Sequence, residues 1–361
     1  MWLNNNTKVI HKVKSEPFLK VREKFMKNNN VFYKGDNNIT HKFTFGLPGS
    51  GISSIMKKEI INAVNNTKDD NIVVIDVYGA QFNEIIQKLE GATITAKELL
   101  GCFNKIVFEY LETSDNKNYD EIFDIIVAIL EDLGSDYIYP TQQSILYETL
   151  DDMWKSSEEN TISNFIQRLQ GKDNKLASIL EVLNVFSNSV NSQDIMNKLN
   201  NRFVCFDLGD CRKEFKNLVY LLALKTAKDK IWKNGEKQIY TCLFAQIDDT
   251  ILPEGICNYL LCLYKRMRKY WGISSLYTAK FSTFTNNYKL IDLLNNTNEF
   301  IFLKQNHDDI DKLSLYFNIP DTYLHFLKYA DAGQGIWTDG IQFGFVDYNE
   351  DLLLDKEKLS I

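Results

Sequence analysis

The sequence predicts an α/β fold: a mainly parallel sheet covered by helices, with an all-α block inserted into it. Three observations predict it. Residues 43–76 run as an apolar strand, a glycine-rich turn, a helix and a second apolar strand: FTF leads into GLPGSG, Ile52, Met56, Ile60 and Val64 recur at helical spacing, and NIVVID closes the unit. From residue 202 onward, short apolar runs alternate with helical patterns, as βα units on a parallel sheet do. Between them, residues 117–200 read as helix after helix.

Composition sets the frame. With 361 residues, 44% of them apolar, the chain can bury a large core and build two or three structural units. No apolar run approaches the roughly 20 residues of a membrane-spanning helix. The start MWLNNNTK lacks the apolar core of a signal peptide, so a cytoplasmic location is expected. Cys102, Cys205, Cys211, Cys242, Cys257 and Cys262 form no C-x-x-C pair, and several fall in apolar patterns, as reduced, buried thiols would. The histidines, His11, His41, His307 and His325, show no metal-ligand spacing, which disfavours zinc sites and histidine-based hydrolysis.

The net charge of −7 is unevenly spread. Residues 117–200 hold 14 acidic and 6 basic side chains, a net of −8, so the rest of the chain sums to about +1. Residues 1–42 hold nine basic and three acidic side chains. That basic lead reads as a solvated N-terminal segment, with contact to phosphates or an anionic membrane surface as the alternative. The acidic block argues against its lying on nucleic acid.

Taken in order, residues 1–41 have weak periodicity and predict loops with one short strand near 31–33. After the glycine-rich turn come a helix to about residue 65, the NIVVID strand, a short strand at 93–95, and KIVFEY at 105–110. The last is expected as a fully buried strand because its apolar run is continuous. Helices follow at 119–133, 141–155, 161–169, 175–186 and 192–199, with Thr161 and Ser192 as N-caps and breaks at Gly134, Pro140 and Gly171. RFVCFDL then gives a strand at 202–208, and a helix spans 212–233. A central strand is expected at 238–247, a helix at 253–270, a strand at 273–277, a helix around 288–294 and a strand at 299–303. Helices at 307–317 and 321–328 precede strands at 335–338 and 341–346, joined as a hairpin at Asp339-Gly340. The expected division is a lead at 1–41, a core from 42–112 and 201–361, and an inserted all-α domain at 113–200.

The glycine-rich turn reads as an altered phosphate-binding loop. In G-x-x-x-x-G-K-[ST], backbone N–H groups cradle phosphates, the lysine reaches the β/γ oxygens and the hydroxyl holds Mg²⁺. Here Gly46, Pro48, Gly49, Ser50, Gly51, Ser53 and Ser54 keep the scaffold, with Ser53 as the metal-binding hydroxyl, but Ile52 stands where the lysine belongs. Backbone amides and the helix N-terminus still attract an anion without that side chain. The same residues are also compatible with a plain strand-to-helix turn that uses glycine for positive φ. The second candidate position is the tip of the strand at 238–247. There Asp248 would orient Mg²⁺ and Asp249 would polarise the attacking water; helix capping before Pro253 is the alternative.

GLPGSGIS, NIVVIDVYGAQF, RFVCFDL, the IDD tip, KRMRKYWGI and AGQGIW occur in an order that resembles the motor domain of the VirB/TraE/TrbE-type ATPases of conjugative transfer and type IV secretion, relatives of the FtsK and HerA translocases. The likeness runs from about residue 42 to 346 and lacks that family's usual large N-terminal domain. It implies a RecA-like P-loop NTPase core, ATP and Mg²⁺ as ligands, and Asp248 as the metal-orienting acid. It also implies Asp249 in place of the catalytic glutamate, Arg266 and Arg268 as basic groups directed to nucleotide or a neighbouring subunit, and Gln334 in a loop near the nucleotide. The partners it implies are other proteins of the transfer machinery. Homo-oligomer formation, DNA contact, and association with the inner face of the cell membrane through those partners are left open.

Departures fall at the chemically demanding positions. Besides Ile52, Ala80 stands where an acid follows the second strand, and Ala279 where a glutamine would sense the γ-phosphate. Retained fold with lost catalysis is the simplest account, which makes a pseudo-ATPase subunit acting through protein contacts the expected function. The alternative is an active ATP-hydrolysing motor or DNA translocase that borrows a lysine, Lys42 or Lys280.

Overall fold

The computed structural model describes residues 40–66, 70–109, 118–134, 137–156, 158–185, 192–247, 253–285 and 287–348. The strand expected near residues 31–33 and the pair Asp248 and Asp249 lie outside them.

Nine strands form one sheet: β1 (Lys42–Phe45), β2 (Asn71–Asp76), β3 (Ala92–Thr95), β4 (Phe203–Asp207), β5 (Thr241–Gln246), β6 (Gly272–Thr278), β7 (Glu299–Leu303), β8 (Gln334–Thr338) and β9 (Phe343–Asp347). Their order is β3-β4-β2-β5-β6-β1-β7-β8-β9. β1 lies parallel to β6 and β7, β5 to β6, and β3 to β4, whereas β8 runs antiparallel to both β7 and β9. The α/β class, the mainly parallel sheet and the antiparallel edge hairpin are as the sequence predicts.

The helices are α1 (Ile52–Asn66), α2 (Asn83–Lys88), α3 (Ala96–Gly101), α4 (Asn118–Gly134), α5 (Pro140–Trp154), α6 (Ile162–Gln170), α7 (Asn174–Leu180), α8 (Ser192–Leu199), α9 (Lys216–Gly235), α10 (Glu254–Met267), α11 (Phe281–Thr285), α12 (Tyr288–Asn295), α13 (His307–Phe317) and α14 (Asp321–Tyr329). The chain divides into two compact units, one of residues 1–72, 234–249 and 267–361, the other of residues 73–233 and 250–266.

In the first unit the alternation of β1 separates two environments. Phe43 and Phe45 stack with ring centroids 4.5 Å apart and meet Phe284 edge-on at 5.0 and 5.5 Å, with Phe281 edge-on to Phe45 at 5.3 Å. This is an aromatic core of the kind that offset and edge-on rings favour. The alternate residue Lys42 instead ion-pairs with Glu59 of α1 (Nζ–Oε1 2.7 Å), and Glu59 also accepts the Tyr277 hydroxyl from β6. The three side chains are buried.

In the second unit every described element from α4 to α8 is helical. Thr161 accepts the Asn164 amide (3.3 Å) and caps α6, as its position predicts, whereas the Ser192 side chain lies outside the description. Helix α9 buries every residue from Leu218 to Ala227. That explains a sequence with no clear polar face.

Two expectations are corrected. The strand expected at 105–110 does not form over its described residues: Lys105–Glu109 is a π-helical turn that follows α3, with the Ile106 amide donating to the Cys102 carbonyl (2.9 Å). Ile106, Val107 and Phe108 are buried all the same, and a short apolar run cannot tell a buried strand from a buried helix by periodicity. The last strand begins at Phe343 rather than Ile341, which is exposed. Asp339 accepts the amides of Ile341 (2.9 Å) and Gln342 (2.7 Å), drawing both residues into the turn.

Candidate functional site

The glycine-rich loop hangs between two strand ends. The Gly46 amide donates to the Thr278 carbonyl at the end of β6 (3.1 Å), and the Leu47 amide to the Lys304 carbonyl just past β7 (3.1 Å). The Ser50 amide closes a turn on the Leu47 carbonyl (2.9 Å), and the Ser50 hydroxyl tucks under Gly46, where a Cβ would stand only 2.4 Å from it. Gly49 and Gly51 take φ of 81° and 100°, the left-handed region that glycine enters without strain. The Ile55 amide then donates to the Gly51 carbonyl (3.0 Å), and α1 begins. Gly46 to Ser50 therefore deliver the chain to a 15-residue helix at the carboxyl ends of parallel strands, where open α/β sheets bind ligands.

One side of this loop is closed by backbone. The Gly333 amide donates to the Ser50 carbonyl (2.8 Å), and a Cβ on Gly51 would lie 2.8 Å from that same nitrogen. Pro48 and Gly49 face solvent. The Ser50 hydroxyl is buried and has no hydrogen-bond partner among the described residues.

Ile52 decides the chemistry of the helix start. Its side chain packs against an apolar cluster of Ile55, Ile301, Leu303, Trp337, Val346 and Tyr348. Ser53 and Ser54 follow it in the first turn of α1, both half-buried. The loop thus offers amides and a helix N-terminus, which suit an anion, beside an apolar side chain that offers no charge to a terminal phosphate. The residues present fit a bound anion.

The other sequence-predicted positions are spread out. Gln334 donates from Nε2 to Asp347 Oδ2 (2.7 Å), so its amide spans β8 and β9 next to the loop. Ala279 follows Thr278 directly, beside Gly46. Strand β5, which leads to Asp248, is separated from β1 by β6 rather than adjacent to it. Arg268 donates to Asn298 Oδ1 (3.4 Å) and the Asn296 carbonyl (3.3 Å), at the amino end of β7 and away from the loop at the carboxyl ends. Arg266 is exposed on α10, where its charge acts on Asp124. Lys42 is tied to Glu59, and Lys280 is exposed just past β6.

Sequence reasoning missed a second carboxylate pair, in the other unit. Asp76 at the end of β2 accepts the amides of Tyr78 (3.2 Å), Gly79 (2.8 Å) and Gln81 (2.8 Å). Asp207 at the end of β4 accepts from Gly209 (3.1 Å), Ala80 (3.0 Å) and the Asn83 amide group (3.1 Å). The two turns cross glycine on glycine, since a Cβ on Gly79 would lie 2.5 Å from the Gly209 Cα. Burial raises the Asp76 pKa, the three amides pull it back, and the Asp207 charge raises it further. Ala80, at φ 56°, is part of this turn. A signal was present in the sequence, since IDVYG and FDLG both end a strand in aspartate with a glycine shortly after.

No family model matches the sequence, and no curated protein does. Among solved structures, VirB4 of Thermoanaerobacter pseudethanolicus superposes with a TM-score of 0.71 at 16% identity, over 88% of this chain and 91% of that one. The chain has the VirB4 fold. The bacterial conjugative coupling protein TrwB, in its unbound monoclinic form, matches with a TM-score of 0.50 at 10% identity, over 89% of this chain and 90% of that one. The plasmid coupling protein TrwB in complex with ADP and Mg²⁺ matches at 0.51 and 9%, over 89% and 91%. Identities this low speak to fold. The VirB4 likeness, over 88% of this chain, agrees with the α/β fold class expected from the sequence.

Proposed function

We propose that this protein is a pseudo-ATPase of conjugative transfer or type IV secretion: a subunit that keeps a motor fold, binds ATP and Mg²⁺ weakly or not at all, and acts through contacts with other proteins of the machinery. The observation that carries the reading is Ile52, which stands at the lysine position of the loop and packs, half-buried, against an apolar cluster. A lysine introduced there would have to leave that cluster to reach a phosphate. Of the two substitutes, Lys42 is committed to a buried ion pair with Glu59, which leaves Lys280, exposed just past β6, as the lysine an active motor would have to use. The intact glycines and the helix N-terminus favour residual anion affinity, and TrwB, of similar fold, has been seen with ADP and Mg²⁺.

The reading includes a RecA-like core of residues 42–112 and 201–361 and an inserted all-α domain at 113–200 that serves as a protein-docking surface. It also includes a cytoplasmic site of action, at the inner membrane face through partners; no described helix is long and apolar enough to cross a membrane. In this reading Ser53 and Asp248 would be the Mg²⁺ ligands of whatever nucleotide binds.

Calorimetric titration with ATP and Mg²⁺, followed by a hydrolysis assay, tests the proposal. Loss of a charge-assisted hydrogen bond worth about 1.5–3 kcal/mol should leave affinity about ten- to a hundredfold below that of the Ile52→Lys variant. Hydrolysis should stay weak in both: the unmodified protein lacks a donor to transition-state charge, a loss of roughly 2.7–4 kcal/mol, and in the lysine variant Ala80 and Ala279 remain. Robust Mg²⁺-dependent turnover by the unmodified protein, abolished by Asp248→Ala, would replace this reading with that of an active motor.

A further inference from the structure

Four aromatic rings on α4 and α5 form one cluster. Tyr119 stands edge-on to Tyr147 at 5.0 Å and to Trp154 at 5.8 Å, and Phe123 stands edge-on to Tyr147 at 5.8 Å. The Tyr119 hydroxyl donates to the Tyr147 carbonyl (2.9 Å), which fixes the two helices' rings against each other. Rings in such contact are ordinarily inside a protein. Here Tyr147 is 46% exposed and Trp154 37% exposed. They are two helical turns apart and so emerge on the same side of α5.

Carboxylates edge this surface. Asp151 lies one turn beyond Tyr147, Asp120 adjoins Tyr119, and Glu148 and Asp152 are exposed on the same stretch. Burial first, and then nearby charges that include those of Asp151, Asp152 and Asp120, hold the Tyr119 hydroxyl well above its ordinary pKa. Lys155 pairs with Asp151 (2.5 Å) and Lys172 with Asp152 (2.6 Å). Solvent-exposed pairs of this kind are weak, so an incoming cation can displace them.

Ring faces attract cations through their quadrupole, and carboxylates supply a matching charge. A planar guanidinium exploits both at once, stacking on the ring while donating to the acid, which an ammonium cannot do. We propose that the Tyr119, Phe123, Tyr147 and Trp154 cluster docks an arginine-rich segment of a partner protein. The idea rests on the reading of the protein as one that acts through protein contacts, and is independent of whether its loop binds nucleotide.

Fluorescence anisotropy of the full chain with labelled arginine–alanine, lysine–alanine and glutamate–alanine repeat peptides tests it. The arginine peptide should bind most tightly, the lysine peptide less tightly and the glutamate peptide not at all. Tyr147→Ala with Trp154→Ala should weaken the arginine peptide about tenfold or more, while Tyr147→Phe with Trp154→Phe, which keeps the ring faces and guards against misfolding, should retain most of the affinity. Asp151→Asn with Asp152→Asn should weaken binding and flatten its salt dependence. Glu181→Gln with Asp194→Asn, acids of the same segment outside the cluster, should change nothing. Equal losses from the two acid pairs, or no loss from the alanine variant, would overturn the proposal, as would self-association of the chain through this surface that excludes the arginine peptide.

Discussion

Lys42 shows how a residue's surroundings settle a question its identity leaves open. By sequence it is a lysine close to a phosphate-binding loop and a candidate to replace the missing one. In the structure it begins β1, at the far end of the strand from the loop, and forms a buried ion pair with Glu59 that extends to the Tyr277 hydroxyl. A buried pair broken on one side leaves a charge without compensation, which costs about 3–5 kcal/mol. Lys42→Met should therefore destabilise the fold by about that amount in urea titration, whereas Lys42→Met combined with Glu59→Leu should recover most of the loss, since an apolar replacement of both partners is often close to neutral. Equal loss in the single and double variants would show that the packing of the lysine stem, rather than the stranded carboxylate, dominates. The partner of Lys42 was not legible in the sequence, because Glu59 is one of several charged residues in a helical pattern and only the crossing of α1 over β1 and β6 selects it.

At the scale of elements, legibility followed the physics of each segment. Long amphipathic runs such as α5 and α13, and strands bounded by turns such as β2 and β7, stand close to where the pattern puts them. The misread segments are those where pattern and local chemistry disagree: 105–109, where the continuous burial of Ile106, Val107 and Phe108 erases periodicity, and 341–342, where Asp339 captures two amides that would otherwise enter a strand. Of the candidate site, the glycine scaffold and the missing lysine were legible; for Asp76 and Asp207 the strand-end aspartates followed by glycine were visible, but the pairing of their turns was not, because Asp207 takes the Ala80 and Asn83 groups from more than 120 residues away in the chain. The edge hairpin gives a prediction of its own. A Cβ on Gly335 would lie 2.3 Å from the Phe302 carbonyl oxygen in the paired strand, so Gly335→Ala must push β8 away from β7. At Gly340 the space is open, and only its left-handed φ of 87° resists a side chain. Gly340→Ala should cost about 1–2 kcal/mol, and Gly335→Ala more, with faster hydrogen exchange confined to β8 and β9 in the Gly335 variant. A Gly335→Ala chain as stable as the parent would show that the strands separate without penalty.

For the whole molecule the governing quantity is the distribution of charge. The net of −7 is carried by residues 117–200, whose net is −8, while the remainder is near neutral. Affinity for duplex DNA comes largely from counterions released as cationic side chains neutralise phosphates, and an acidic surface gains nothing from that release. A fold shared with VirB4 and with a conjugative coupling protein does not alter this balance, because function resides in the surfaces placed on a fold. Titration of a labelled duplex at physiological salt should accordingly show binding no tighter than the ordinary non-specific range of about 10⁻⁴–10⁻⁶ M. Its dependence on salt should be unchanged when Lys155, Arg168, Lys172 and Lys175 of the helical segment are replaced together by alanine. For every phosphate that one of these side chains neutralises, its removal would lower the steepness of that salt dependence by about 0.9. A tight complex whose salt slope falls by several such steps in the fourfold variant would mean that the helical segment lies on DNA despite its acids, and the protein-docking role argued for it would have to be abandoned.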